Sequence, residues 1–158
     1  MDDFMRAALA EARAGFDEGG APIGSVVVKD GRIMGRGRNR FYQAGDPISH
    51  AEIEALRDAA LGAPALDAID PLLAGGTVYT TMLPCEMCTG AIIRFGIAAV
   101  VVGEMRSYVP SPTEALMTRH GIAVTVLDEP DCVALVAAYL DRYPERRPAM
   151  TVPPRFKG

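Results

Sequence analysis

Hydrophobic residues return at two different spacings along this chain, and the changes between them predict the order of helices and strands. Over residues 4–16 they recur every three or four positions, which is the period of an amphipathic helix. Asp2 and Asp3 precede this segment and Gly19 and Gly20 follow it, as expected at the two ends of a helix.

The rest of the chain alternates between strand-like and helix-like segments. Residues 23–29 and 32–37 flank the pair Asp30-Gly31 and predict a β-hairpin. Ser49 is the predicted N-cap of a helix that continues to residue 60. The later segments are predicted as strand 77–81, a turn and helix within 82–96, strand 98–103, helix 113–121, strand 122–127 and helix 131–143.

Three segments rich in proline or glycine, residues 38–48, 62–76 and 144–158, are predicted to be irregular. Alternation of strands and helices in the second half implies right-handed crossovers, a mostly parallel sheet and helices on both of its faces. We therefore predict one α/β domain over residues 1–158. We also predict that the tail 144–158 wraps around this domain or caps it, as a candidate flap over an active site.

Composition and charge narrow the class of protein. Of the 158 residues, 49% are hydrophobic and 23% are charged, which is typical of a globular domain. No apolar run approaches the roughly 18 residues that cross a membrane, and the acidic N-terminus does not resemble a secretory signal. Three cysteines without a pairing framework favour a reducing cytoplasm.

The net charge of −4 lowers the expectation that the chain binds a nucleic acid. One basic cluster, Arg36, Arg38 and Arg40, occupies alternate positions that share one face of a strand. We interpret this cluster as a solvated edge of the sheet.

The candidate chemistry lies at the starts of two predicted helices. His50 opens one helix, and Cys85 and Cys88 open another with a spacing that lets both thiolates reach one ion. An imidazole and two thiolates suit zinc, and a catalytic zinc keeps a fourth position for water. Glu52 adds a carboxylate that can move protons beside that water, as in zinc nucleobase deaminases. Because residues two apart on a helix diverge, His50 and Glu52 are predicted to lie in its first turn.

These residues allow three other interpretations. A structural zinc site needs a fourth ligand, for which Cys132 and His120 are the candidates, and both are isolated in the sequence. A thioredoxin-like redox pair would leave His50 and Glu52 without a role. A zinc-stabilised binding module without catalysis also stays open, although the presence of Glu52 favours an enzyme.

With these residues in view, the chain resembles the cytidine/deoxycytidylate deaminase superfamily, and within it fungal-type cytosine deaminase. The resemblance extends from the first helix to about Pro144. Its most specific stretches are EGGAPIGS, GRGRN, HAEIEAL and YTTMLPCEMCTGAIIRFGIAAVVVGE. It implies a three-layer α/β/α sandwich with a central mixed five-stranded sheet, a homodimer, and one zinc ion per chain held by His50, Cys85 and Cys88.

The resemblance also implies roles for residues around the metal. Glu52 would be the catalytic proton shuttle, Asn39 and the backbone amide of Ala51 would hold the substrate, and Ile23 and Tyr108 would form pocket walls. A free nucleobase, with cytosine first, would be the substrate. The alternatives are a guanine deaminase or a tRNA adenosine deaminase.

Three positions depart from the fungal pattern. Leu83 replaces a small polar residue, and Arg147 and Met150 stand near the positions of an aromatic and an acidic flap residue. A flap without its acid cannot accept a hydrogen bond from a substrate amino group in the same way. These departures affect the prediction of which ring the protein binds. They do not affect the prediction of the zinc ligands, none of which is changed.

Overall fold

A computed structural model describes residues 1–107 and 112–146, and there the main elements follow the predicted order. The strands are Gly24–Lys29 (β1), Arg32–Arg38 (β2), Thr77–Met82 (β3), Ala99–Glu104 (β4) and Ala123–Val126 (β5). The helices are Asp3–Asp17 (α1), Phe41–Ala44 (α2), Ala51–Leu61 (α3), Ile69–Leu73 (α4), Glu86–Arg94 (α5), Thr113–Arg119 (α6) and Pro130–Arg142 (α7). No helix in the described ranges is both long and apolar enough to cross a membrane.

The five strands form one mixed sheet in the order β2-β1-β3-β4-β5. Strand β1 is antiparallel to both of its neighbours, whereas β3, β4 and β5 run parallel. The helices α5 and α6 connect the parallel strands, as parallel neighbours require a crossover. This arrangement confirms the predicted α/β fold with a mixed five-stranded sheet. The sheet is not mostly parallel, as the alternation of elements had suggested, because the hairpin makes two of the four strand pairs antiparallel.

Alternate residues of the central strands bury opposite faces of the sheet. Val78 and Val100 belong to a core cluster that also holds apolar residues of α3, α5 and α6. Tyr79 and Val101 pack on the other face against α1 and the start of α7. Helices therefore cover both faces, and two successive apolar residues on a strand serve two different cores.

Helix α3 lies unusually close to β2 because two glycines of the strand face it. A Cβ atom at Gly37 would lie 2.3 Å from the Ala51 carbonyl oxygen, and one at Gly35 would lie 2.3 Å from that of Ala55. Only a residue without a side chain permits this approach. The GRGR pattern of the sequence thus brings the start of α3 down onto the sheet.

Several local predictions were wrong. Ser49 is not the cap of α3: His50 occupies that position, and the Ser49 hydroxyl donates to Glu54 Oε1 at 2.6 Å. The segment 62–76 contains a 3₁₀ turn and the short helix α4, and 38–48 contains α2, because one-turn helices leave little periodic signal. The basic cluster does lie at the sheet edge formed by β2, with Arg36 and Arg40 exposed, but Arg38 also forms ion pairs with Glu11 and Glu18 at 2.7 Å that were not predicted.

Candidate metal centre and active-site pocket

The predicted metal ligands lie at the starts of α3 and α5. His50 and Cys85 are the N-cap residues of these helices, and both have extended backbone conformations. Neither side chain caps its own helix. The two side chains are therefore available to each other, and Cys88 joins them from the first turn of α5.

The three ligand atoms have the spacing of a tetrahedral zinc site. With Zn–S bonds of about 2.3 Å and Zn–N bonds of about 2.0 Å, tetrahedral geometry separates two sulfurs by about 3.8 Å and sulfur from nitrogen by about 3.5 Å. In this protein Cys85 Sγ lies 3.7 Å from Cys88 Sγ. His50 Nδ1 lies 3.5 Å from the first sulfur and 3.7 Å from the second. The donor set and its geometry both fit the ion.

The two thiols differ in acidity. The hydrogen bond between the two sulfurs, helped by the contact with His50, lowers the pKa of Cys85 to about 4. The same interaction raises the pKa of Cys88, which is also more deeply buried. A thiolate beside a thiol gives a cation one ready anionic ligand, and binding of the ion favours loss of the second proton.

Glu52 lies in the first turn of α3, as predicted from the divergence of residues two apart. Its side chain is only 3% exposed, and burial raises its pKa. The Thr80 hydroxyl donates to Glu52 Oε1 at 2.9 Å and fixes the carboxyl group from β3. Glu52 is thus a carboxyl group held in place next to the ligand cluster, where burial favours its protonated form more than water does.

These residues open into a cavity of about 120 Å³. Its lining residues are Ala21, Ile23, Asn39, Phe41, Tyr42, His50, Glu52, Met82, Leu83, Cys85 and Tyr139. Two of the predicted substrate contacts, Ile23 and Asn39, are therefore in place. Ala51 is buried at the start of α3 and does not itself line the cavity. Tyr108, Arg147 and Met150 lie outside the described residues.

Sequence reasoning did not identify the aromatic walls of the cavity. Phe41 and Tyr42 belong to the one-turn helix α2, and Tyr139 belongs to α7. Tyr139 occupies a position of α7 where the helical period places apolar residues. This pattern predicts a core residue and does not indicate that the residue lines a cavity. Only the tertiary arrangement brings these rings together.

A fourth protein ligand is absent from the part of the chain that the structure describes. His50, Cys85 and Cys88 form the metal-ligating cluster found there. Cys132 instead packs beside Gly103, and burial raises its pKa to about 12. His120 ends α6. The structural-zinc interpretation therefore lacks the additional ligand that it requires.

The chain belongs to the zinc-dependent cytidine and deoxycytidylate deaminases. The family model for the cytidine and deoxycytidylate deaminase zinc-binding region matches residues 1–104, which include all three ligands and Glu52. Membership makes the protein a zinc-dependent hydrolase that acts on carbon–nitrogen bonds.

Individual relatives differ in their substrates. Cytosine deaminase from Candida albicans is 34% identical over 144 residues, which cover 89% of each protein. The tRNA-specific adenosine deaminase of Aquifex aeolicus is 32% identical over 130 residues, or 80% of this chain and 76% of that protein. A solved guanine deaminase from Nitrosomonas europaea superposes with a TM-score of 0.70 at 28% identity, over 86% of this chain and 82% of that one.

Proposed function

We propose that the protein deaminates a free nucleobase, with cytosine as the leading substrate, to give the corresponding oxo base and ammonia. One observation carries this proposal. Three side chains with the spacing of zinc ligands lie next to a buried carboxyl group, that of Glu52, at the wall of a small cavity. A purely structural metal has no use for Glu52 in that position. We further propose that residues 1–158 form a single domain and act as a cytoplasmic homodimer.

Each residue of the site has a defined task in this reaction. Zinc bound by His50, Cys85 and Cys88 would supply activated water, because the ion lowers the pKa of such water to about 7. Glu52 would take a proton from the attacking water and deliver it to the ring nitrogen. A second proton transfer through the same carboxyl group would let the amino group leave as ammonia. Thr80 would keep that carboxyl group oriented throughout.

The orientation of Asn39 supports a substrate that carries a carbonyl group. Asn39 Oδ1 accepts a hydrogen bond from the backbone amide of Phe41 at 3.1 Å. With its oxygen engaged, the amide nitrogen is the polar end that Asn39 has for the cavity, and it can only donate. Cytosine and guanine offer a ring carbonyl to this donor, whereas adenine has only ring nitrogens as acceptors. We propose that Asn39, Ile23, Tyr108 and the backbone of Ala51 hold the base.

Guanine is the second candidate because a guanine deaminase is among the structural relatives. We place cytosine first because the match to the Candida enzyme extends over 89% of both proteins. At the positions predicted to form the flap, Arg147 and Met150 provide no carboxylate that could accept a hydrogen bond from a substrate amino group. An arginine at this position would instead favour a ring that is anionic or carries several carbonyl groups, which keeps substrates other than cytosine in the panel.

A tRNA substrate is disfavoured by charge. The net charge is −4, and the Arg38 side chain is paired with two carboxylates. A polyanion needs free cations along its path, and its binding weakens steeply with salt. Binding of tRNA in low salt, followed by inosine formation, would make the adenosine deaminase the better assignment.

The test is ammonia release by the zinc-loaded protein from cytosine, isocytosine, guanine, adenine, cytidine and aminated triazines. We expect the highest kcat/KM with cytosine, and we expect Glu52→Gln to retain zinc while losing at least a hundredfold in kcat, as loss of general acid–base catalysis predicts. Turnover of guanine alone would keep the mechanism and change the substrate. If no compound in the panel releases ammonia, the result would favour a non-catalytic, zinc-stabilised binding module.

A further inference from the structure

Arg146 lies where three separate segments of the chain meet behind the cavity. Its guanidinium carbon is 4.0 Å from the ring centroid of Tyr42 and 3.9 Å from that of Tyr143. One nitrogen of the group donates to the Gly19 carbonyl oxygen at 2.6 Å. The cation thus lies over two aromatic rings and is anchored to a third segment, and the planar, multi-donor group of arginine suits this combination better than the ammonium of lysine.

Each of these three segments supplies a wall of the cavity. Gly19 leads into the stretch that holds Ala21 and Ile23, Tyr42 belongs to α2, and Tyr143 ends the helix that carries Tyr139. The guanidinium carbon also lies 5.9 Å from the Tyr139 ring. One side chain therefore connects walls that come from distant parts of the sequence.

Helix α2 depends on such support. It has only four residues, none of them is buried, and its N-cap residue Arg40 makes no side-chain cap hydrogen bond. A single turn of helix is not stable on its own. Hydrogen bonds hold its backbone at the start, where Asn39 Oδ1 accepts from the Phe41 amide and the Arg40 amide donates to the Ser49 carbonyl oxygen. Gln43 Nε2 also donates to the Asn39 carbonyl oxygen at 3.2 Å. The ring of Tyr42 itself is held by Arg146.

We propose that Arg146 is a positioning residue that fixes Tyr42 and the N-terminal wall against α7 and so sets the affinity of the cavity for its base. The proposal rests on the proposed function, since it treats this cavity as the substrate site. Arg146 touches no reacting atom in this proposal. Its loss should therefore weaken binding of the base much more than it slows the chemical step.

The kinetic test compares Arg146→Met, Arg146→Lys and Arg142→Met. Arg142 is the matched control, because its guanidinium also lies over two rings, Phe16 at 5.4 Å and Tyr143 at 5.3 Å, and neither ring lines the cavity. We expect Arg146→Met to raise KM about tenfold, as for the loss of two cation–π contacts at a half-buried site, with kcat within about twofold. Lysine should restore part of the affinity, and Arg142→Met should leave KM unchanged.

A binding measurement separates this proposal from the proposed function. Calorimetric titration of cytosine and of guanine into Glu52→Gln and into the double variant Glu52→Gln/Arg146→Met reports affinity without turnover. A tenfold weaker Kd in the double variant supports the role of Arg146 even if the wild-type protein proves to be a poor catalyst. An equal Kd, or no binding of either base to Glu52→Gln, would overturn it.

Coupling to Tyr42 gives a further check. Tyr42 itself lines the cavity, so Tyr42→Ala removes the wall that Arg146 is proposed to hold. If Arg146 acts through this ring, adding Arg146→Met to Tyr42→Ala should raise KM little further. Fully multiplicative effects would show that the two residues act independently, which contradicts the proposal. Melting temperatures of all variants identify any that lose affinity through unfolding.

Discussion

The packing of α3 on β2 makes a quantitative prediction for Gly37→Ala. The new Cβ atom would lie 2.3 Å from the Ala51 carbonyl oxygen and 2.3 Å from the Ala55 amide nitrogen, whereas ordinary contact begins near 3.4 Å. The atoms involved are backbone, so α3 must retreat by about 1 Å. Metal–ligand distances tolerate only about 0.2 Å, and His50 begins this helix. We therefore expect a loss of zinc affinity of at least tenfold and a destabilisation of about 1–3 kcal/mol from overpacking.

Competition with a chromogenic chelator measures the zinc affinity, and urea unfolding measures the stability. Gly90→Ala is the matched control, because a Cβ atom at Gly90 meets nothing within 4 Å although the residue lies two positions from Cys88. Alanine there should be neutral or stabilise α5 by about 1 kcal/mol. Gly35→Ala strains the far end of α3, at Ala59, and should reduce stability more than zinc affinity. Wild-type zinc affinity in folded Gly37→Ala would refute the reasoning.

Three further predictions concern single groups. Thr80→Val removes the donor to Glu52, so kcat should fall roughly tenfold or more with zinc retained, as for a hydrogen bond to a charged group; an unchanged kcat would remove Thr80 from the mechanism. Chelation of zinc should lower both activity and melting temperature reversibly, and a melting temperature indifferent to chelator would argue against the site. Burial raises the pKa of Cys132 from 9.0 to about 12, so the stability that this neutral thiol contributes is present below pH 9 and is lost as the pH rises toward 12. The advantage of the wild type over Cys132→Ala in urea should therefore shrink between pH 8 and pH 10.5, and a constant difference would contradict the shift.

The metal centre could be predicted from the sequence because each of its parts is local. Spacing alone places Cys85 and Cys88 on one turn, and the divergence of residues two apart places His50 and Glu52 at a helix start. The order of helices and strands along the chain could be predicted from alternating periods in the same way. The N-cap of α3 was wrongly assigned to Ser49. In the folded chain the Ser49 hydroxyl donates to the Glu54 side chain instead of accepting from a backbone amide of the helix, and nothing in the sequence indicates this contact. The ion pairs of Arg38 were not predicted because Glu18 and Glu11 lie 20 and 27 residues away in the sequence.

Unlike the metal ligands, the residues that form the cavity walls come from distant parts of the sequence. The residues that carry the chemistry are therefore held by different segments from the residues that select the substrate. His50, Glu52 and the two cysteines come from two helix starts, of which the α3 start is held against backbone by Gly37. The wall residues come from three segments that are far apart in the sequence, one with Ala21, one with Asn39 and Tyr42, and one with Tyr139, and Arg146 contacts all three segments. Side chains in these segments can change without moving the backbone that holds the metal ligands. Substitutions at Arg146 or Tyr42 should accordingly alter which base is bound, and how tightly, while zinc content and the proton-transfer step are preserved.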